Sequence, residues 1–137
     1  MNKKFFYVIA GIIWLAIIFY LLTLPGNDFP KAKWIENIHV DKLVHISLFF
    51  VLCYIFGFLV KDKKKALLLF FIISFLALLY GIAMEFVQKY FTTTRSFDVT
   101  DMIADGVGAY LAYFLWLYKI KKKAPVETGA ATKTNCL

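Results

Sequence analysis

Nine polar residues stand at the margins of long apolar runs. They are Asp41, Lys42 and His45, then Glu85 and Gln88, then Arg95, Asp98, Asp101 and Asp105. Their types allow definite chemistry. Lys42 and Arg95 offer cations to a phosphate or carboxylate, and Arg95 can bind bidentately. His45 and Glu85 are the acid–base candidates. Asp41 and His45 are four residues apart and share a helical face, as do Gly81, Glu85 and Gln88, and as do Asp98, Asp101, Asp105 and Gly108. At the helical rise, Asp105 lies roughly 10 Å deeper than Asp98. Carboxylates at that depth in an apolar segment must face a wet cavity or a partner, because hydrocarbon does not solvate them. Structural roles remain open beside these: Asp41 and His45 as a cap and brace, Glu85 in an interhelical ion pair with Arg95 or Lys42, and Asp98 as an N-cap. Ser96 and Thr94 lack the elbow or base partner of a nucleophile. No ligand motif such as HExxH occurs, so no metal and no cofactor is expected, and a metal site from His45 and the acids is the weaker reading.

These residues have to be positioned by elements that are mostly apolar. The chain has 137 residues, 61% of them hydrophobic, which suits one domain whose surface is covered by lipid. The net charge of +7 comes from residues flanking apolar runs rather than from a basic face interleaved with aromatics, so nucleic acid is not the expected partner. Cys53 lies in an apolar run and Cys136 in the polar tail, on different levels, which argues against a disulfide. Cys136 has one residue after it and makes no prenylation box.

Four spans follow, at about 5–24, 43–60, 66–84 and 99–118. The first ends in LLTLPGND without a small-residue cleavage site and reads as an uncleaved helix. Gly26–Val40 is either a short interfacial helix anchored by Trp34 or an irregular loop. Lys61–Lys65 is a basic loop, Glu85–Thr100 a polar connection broken by the threonines at 92–94, and 124–137 a disordered cytoplasmic tail. Trp14, Trp34 and Trp116 are candidate interface anchors. With the N-terminus, the 61–65 loop and the tail on one side, that side carries eleven basic and two acidic residues, and the other five basic and seven acidic. Basic loops stay in the cytoplasm, so both termini are expected inside and the polar cluster on the extracytoplasmic side.

The order of four short motifs resembles the VanZ-like family: LTLP at Leu22–Pro25, DKLVHISLFFVL with Asp41, Lys42, His45 and Phe49, YGIAMEFVQKY with Gly81, Glu85 and Gln88, and RSFDVTDMIADGVGAYL with Arg95, Asp98, Asp101 and Gly108. The resemblance covers roughly Phe5 to Trp116 and departs at Asp105, where the family usually has Asn. It implies a multi-pass protein of the bacterial cytoplasmic membrane and, through the family's namesake, a link to resistance against teicoplanin, a lipoglycopeptide acting at the cell envelope.

The expectation is therefore an all-α membrane protein, a four-transmembrane-helix bundle with N-in/C-in topology, forming one domain over 1–123. Its polar residues line an outward-facing pocket for lipid binding. The ligand is a lipid headgroup, a lipid-linked cell-wall precursor or a lipoglycopeptide. The alternatives are an intramembrane enzyme acting on a lipid headgroup in the outer leaflet, with His45 or Glu85 as catalyst, and a passive interaction or assembly protein.

Overall fold

The computed structural model describes residues 3–24, 40–92 and 97–123, and among these the chain is all helical. The four helices are α1 (Lys3–Thr23), α2 (Val40–Val60), α3 (Ala66–Phe91) and α4 (Val99–Lys123). The first three are long and apolar enough to cross a membrane. At 1.5 Å per residue, α1 and α2 each measure about 31 Å, close to the thickness of the hydrocarbon layer. The helices fit a multi-pass membrane protein. The proposed interfacial helix at Gly26–Val40 falls almost wholly outside the described residues, as do Trp34, Arg95, Cys136 and the tail.

One boundary differs from the sequence reading. Glu85–Phe91 is not connection but the last two turns of α3, seven residues beyond Met84. Glu85 and Gln88 face the bundle interior, where Glu85 Oε2 and Gln88 Nε2 find partners, and the helix continues until Thr92. Thr92 adopts an extended conformation, and its hydroxyl donates to the Gln88 carbonyl at 2.6 Å. The β-branched residue thus ends the helix by binding its backbone.

Pair contacts fix the directions. Trp14 Nε1 donates to the Leu48 carbonyl, Tyr7 stacks on Phe58, and the Tyr80 hydroxyl donates to the Leu15 carbonyl. Helix α1 therefore runs antiparallel to α2 and parallel to α3. His45 meets Asp105 near the start of α2 and α4, and Gly57 meets Trp116 near their ends, so these two are parallel. The most extensive packing is between α2 and α4. The bundle goes up, down, up, down, and the C-terminal ends of α1 and α3 share one end with the N-termini of α2 and α4.

The core runs through Ile18, Leu22, Phe49, Leu52, Met84, Ala109 and Ala112. At the far end Phe70, Tyr54 and Phe58 surround Trp116. Trp116 is 5% exposed and packs as core, not as an interface anchor. Trp14, likewise, is tied into the bundle by its indole hydrogen bond. Cys53 is free and buried.

Helix α4 is two-faced. Val99, Ile103, Val107, Leu111, Phe114 and Tyr118 form an exposed apolar stripe along its length, while Asp101, Asp105, Ala109, Ala112 and Trp116 face inward. Close approach to α2 depends on Gly108. A Cβ there would collide with the Ile46 carbonyl oxygen and stand 3.0 Å from its carbon. Backbone cannot rotate away as a side chain can, so Gly108→Ala must part the helices. We expect it to cost about 1–3 kcal/mol in reversible unfolding in detergent, as overpacking does. Gly106→Ala meets only the end of the Leu78 side chain at 3.3 Å and should stay within about 1 kcal/mol of the wild type.

Candidate functional site

All the described members of the sequence-derived cluster lie at one end of the bundle, and each is held there by a turn of helix. Asp41 and Lys42 occupy the first turn of α2, with His45 one turn further in. Glu85 and Gln88 project from the last turns of α3. Asp98 precedes α4, and Asp101 and Asp105 follow at one-turn intervals.

The cluster divides into a rim and a buried layer. At the rim, Lys42 Nζ lies 3.0 Å from Asp98 Oδ2 and 2.9 Å from Asp101 Oδ1. The Lys42 and Asp98 side chains keep 28% and 43% of their exposure. Asp98 also caps α4, since its Oδ1 accepts from the Thr100 backbone N–H at 2.8 Å and from the Thr100 hydroxyl at 2.6 Å. These bonds, with the Lys42 ammonium, hold its carboxyl down to about 2.

Below the rim, His45 and Asp105 are both fully buried, with His45 Nδ1 2.8 Å from Asp105 Oδ1. Among the described residues His45 Nε2 has no hydrogen-bond partner, and it stands 4.0 Å from Asp101 Oδ2. Asp105 Oδ2 is also unpartnered, and it fills the space where a side chain on residue 81 would begin. A Cβ on Gly81 would lie 2.8 Å from that of Asp105, so the glycine makes room for the carboxylate.

Glu85 and Gln88 do structural work. Glu85 Oε2 accepts the Asp98 backbone N–H at 3.0 Å. A capping-box glutamate normally reaches this N–H from the third position of its own helix; here a neighbouring helix supplies it. Glu85 Oε1 remains buried and unpartnered. Gln88 Nε2 donates to the Leu22 carbonyl at 2.9 Å, satisfying one of the open carbonyls at the end of α1.

The structure thus brings together Asp41, Lys42, His45, Glu85, Asp98, Asp101 and Asp105, and sets Gln88 to one side as a tether. Arg95 lies outside the described residues. The sequence reading missed Thr100, although the Asp-x-Thr pattern at a helix start is a capping signal. It placed Gly81 on the right face without the reason, since contact with Asp105 is a property of two helices.

The family model for VanZ/LLP1 matches residues 6–121. The chain belongs to the VanZ/LLP1 family. The matched span holds all four helices apart from the first residues of α1 and the last of α4, and so the whole of the polar cluster of this VanZ/LLP1 protein. No curated protein and no solved structure matches the chain.

Two outcomes follow from the site geometry. A carboxyl with a depressed pKa contributes stability that is present above its ordinary value of 3.8 and lost as pH falls through about 2. Asp98→Asn keeps an N-cap but loses the charge. Wild type should be the more stable near neutral pH, and the two unfolding midpoints should converge as pH falls from 3.8 towards 2. At Asp105, Asn can still accept from His45 Nδ1, whereas Leu leaves that nitrogen buried and unpaired. Asp105→Leu should cost about 1–3 kcal/mol more than Asp105→Asn in detergent unfolding.

Proposed function

We propose that this VanZ/LLP1 protein spans the bacterial cytoplasmic membrane four times, with both termini inside and 1–123 as one domain, and that its polar end opens outward to recognise an amphiphile. The packing of α4 supports the fourth span. It runs beside α2 to the far end of the bundle and presents an apolar stripe outward, while its two carboxylates are turned in. Charge supports the orientation, since the lysine-rich 61–65 turn lies at the opposite end from Asp41, Glu85, Asp98, Asp101 and Asp105.

One observation carries the functional reading. Lys42 sits partly exposed between two carboxylates, at the rim of a layer of buried groups with unused hydrogen-bonding capacity. A headgroup entering from the outer leaflet would meet a cation first and unsatisfied acceptors behind it. Lys42 and Arg95 would take the anionic part, and Asp98, Asp101 and Glu85 would bind hydroxyl or amide groups. The ligand class is a lipid headgroup, a lipid-linked cell-wall precursor or a lipoglycopeptide, and the last would connect the protein to teicoplanin resistance.

A second reading, catalysis on such a headgroup, draws on His45. A base whose Nδ1 is fixed by a carboxylate and whose Nε2 is unbonded has the arrangement of a general base.

One experiment covers both. Full-length protein in detergent is incubated with bacterial lipids, polyprenyl-linked precursors and teicoplanin, and the retained and converted species are read by mass spectrometry. Retention of one class without conversion, weakened about tenfold or more by Lys42→Ala with Arg95→Ala, is the expected result, each lost charge-assisted bond being worth about 1.5–3 kcal/mol. A product that disappears in His45→Gln would make it an enzyme. No retention and no product, or retention unchanged in the double variant, sinks the recognition reading.

A further inference from the structure

The most unusual group in the molecule is His45. Its ring is fully buried, one nitrogen is held by Asp105, and the other has no partner among the described residues. An ionised Asp105 can only accept, so Nδ1 carries the hydrogen, and in the neutral ring Nε2 keeps its lone pair. Asp101 Oδ2, on the facing helix α4, stands 4.0 Å from that nitrogen. The separation is too long for a hydrogen bond. Asp41, four residues before His45 on the same face of α2, brings a third donor. One ligand atom from each of Asp41, His45 and Asp101 lie within 4.8 Å of one another.

We propose that Asp41, His45 and Asp101 bind a divalent transition-metal ion of the zinc or manganese kind, with Asp105 as the residue that orients His45. The inference goes beyond amphiphile recognition and does not depend on it. Three features of the geometry support it. A metal-bound histidine almost always donates its second N–H to a carboxylate or carbonyl, and the His45–Asp105 pair has that form. The donor set, one imidazole nitrogen and two carboxylate oxygens, is mixed; nitrogen selects against calcium and magnesium, and the lack of sulfur against copper(I). The two carboxylates also neutralise the ion.

The distances are compatible. Bonds of about 2.1 Å let two donors stand at most about 4.2 Å apart, and the three donors lie within 4.8 Å of one another, so at most roughly 0.6 Å separates any pair from that limit. Asp41 is exposed and can close that distance by turning its side chain. Lys42 bonds to Oδ1 of Asp101, which leaves Oδ2 for the metal. Access is from the rim, through Asp41. Three protein ligands leave a coordination position open, which is the arrangement of sites that take an exchangeable oxygen ligand.

The test uses the full chain in detergent, stripped with chelator and dialysed against Zn²⁺ alone or Mn²⁺ alone, with bound metal measured by mass spectrometry. About one ion per chain is expected for at least one of the two metals, as three protein ligands imply. Asp41→Asn should weaken binding by at least tenfold, and Asp105→Leu by about 10–100-fold, the usual effect of losing a group behind a ligand. Because His45→Ala empties a buried position, Asp41→Asn carries the comparison, with helical content by circular dichroism confirming its fold. Cobalt(II) provides a second readout: its visible absorption should show nitrogen and oxygen coordination in the wild type and lose it in Asp41→Asn. Failure of the stripped wild type to take up either ion, or equal uptake by wild type and Asp41→Asn, overturns the proposal. Amphiphile retention can succeed or fail in either case.

Discussion

The hydrogen bond between His45 and Asp105 constrains everything else at the polar end. Neither group can be left alone in a dry interior, since an unpaired buried charge or donor costs several kcal/mol. Their pairing therefore ties the register of α2 against α4, and a slip of one turn would break this pair. The neighbouring contacts conform to that register. Gly108 lets the two backbones touch, Gly81 leaves space for the second oxygen of Asp105, and Lys42 reaches both Asp98 and Asp101 across the same interface.

The parallel arrangement of α2 and α4 explains why acids concentrate there. Two parallel neighbours place two positive dipole ends side by side, an unfavourable arrangement by itself. Asp41 in the first turn of α2, Asp98 as the cap of α4 and Asp101 in its first turn offset it. Glu85 adds a fourth negative group from α3 and ties the end of that helix to the start of α4. Capping, dipole compensation and interhelical pairing thus account for many of the polar contacts. They do not account for His45 Nε2, Glu85 Oε1 or Asp105 Oδ2, which are buried and without a partner among the described residues. Function is best sought in groups that packing has not used.

That division also separates the ligand readings. Gln88, bound to the end of α1, belongs to the scaffold, and altering it would disturb the bundle before it disturbed a ligand. Lys42 and Asp98 stay partly exposed and can be reached without the bundle opening. A family match alone would not distinguish these two kinds of residue, because both lie in the matched segment.

Helical class, membrane character and the faces of the polar residues were legible in the sequence, because each depends on local pattern. Runs of about 20 apolar residues need no tertiary information to be recognised. The spacing of Asp98, Asp101 and Asp105 places them on one side of any helix they occupy. Where α3 ends was not legible. Glu85 and Gln88 share a face with Gly81 by spacing, yet they fall past the end of the apolar run, and only their bonds to the Asp98 N–H and the Leu22 carbonyl show that the helix carries on through them. Nor could spacing show that Trp116 belongs to the core, since a tryptophan near a helix end suits an interface equally well. The pairing of His45 with Asp105, the room made by Gly81, and the convergence of Asp41, His45 and Asp101 were decided by the tertiary structure alone. They join residues up to 60 positions apart, and no local periodicity carries information about which helix faces will meet.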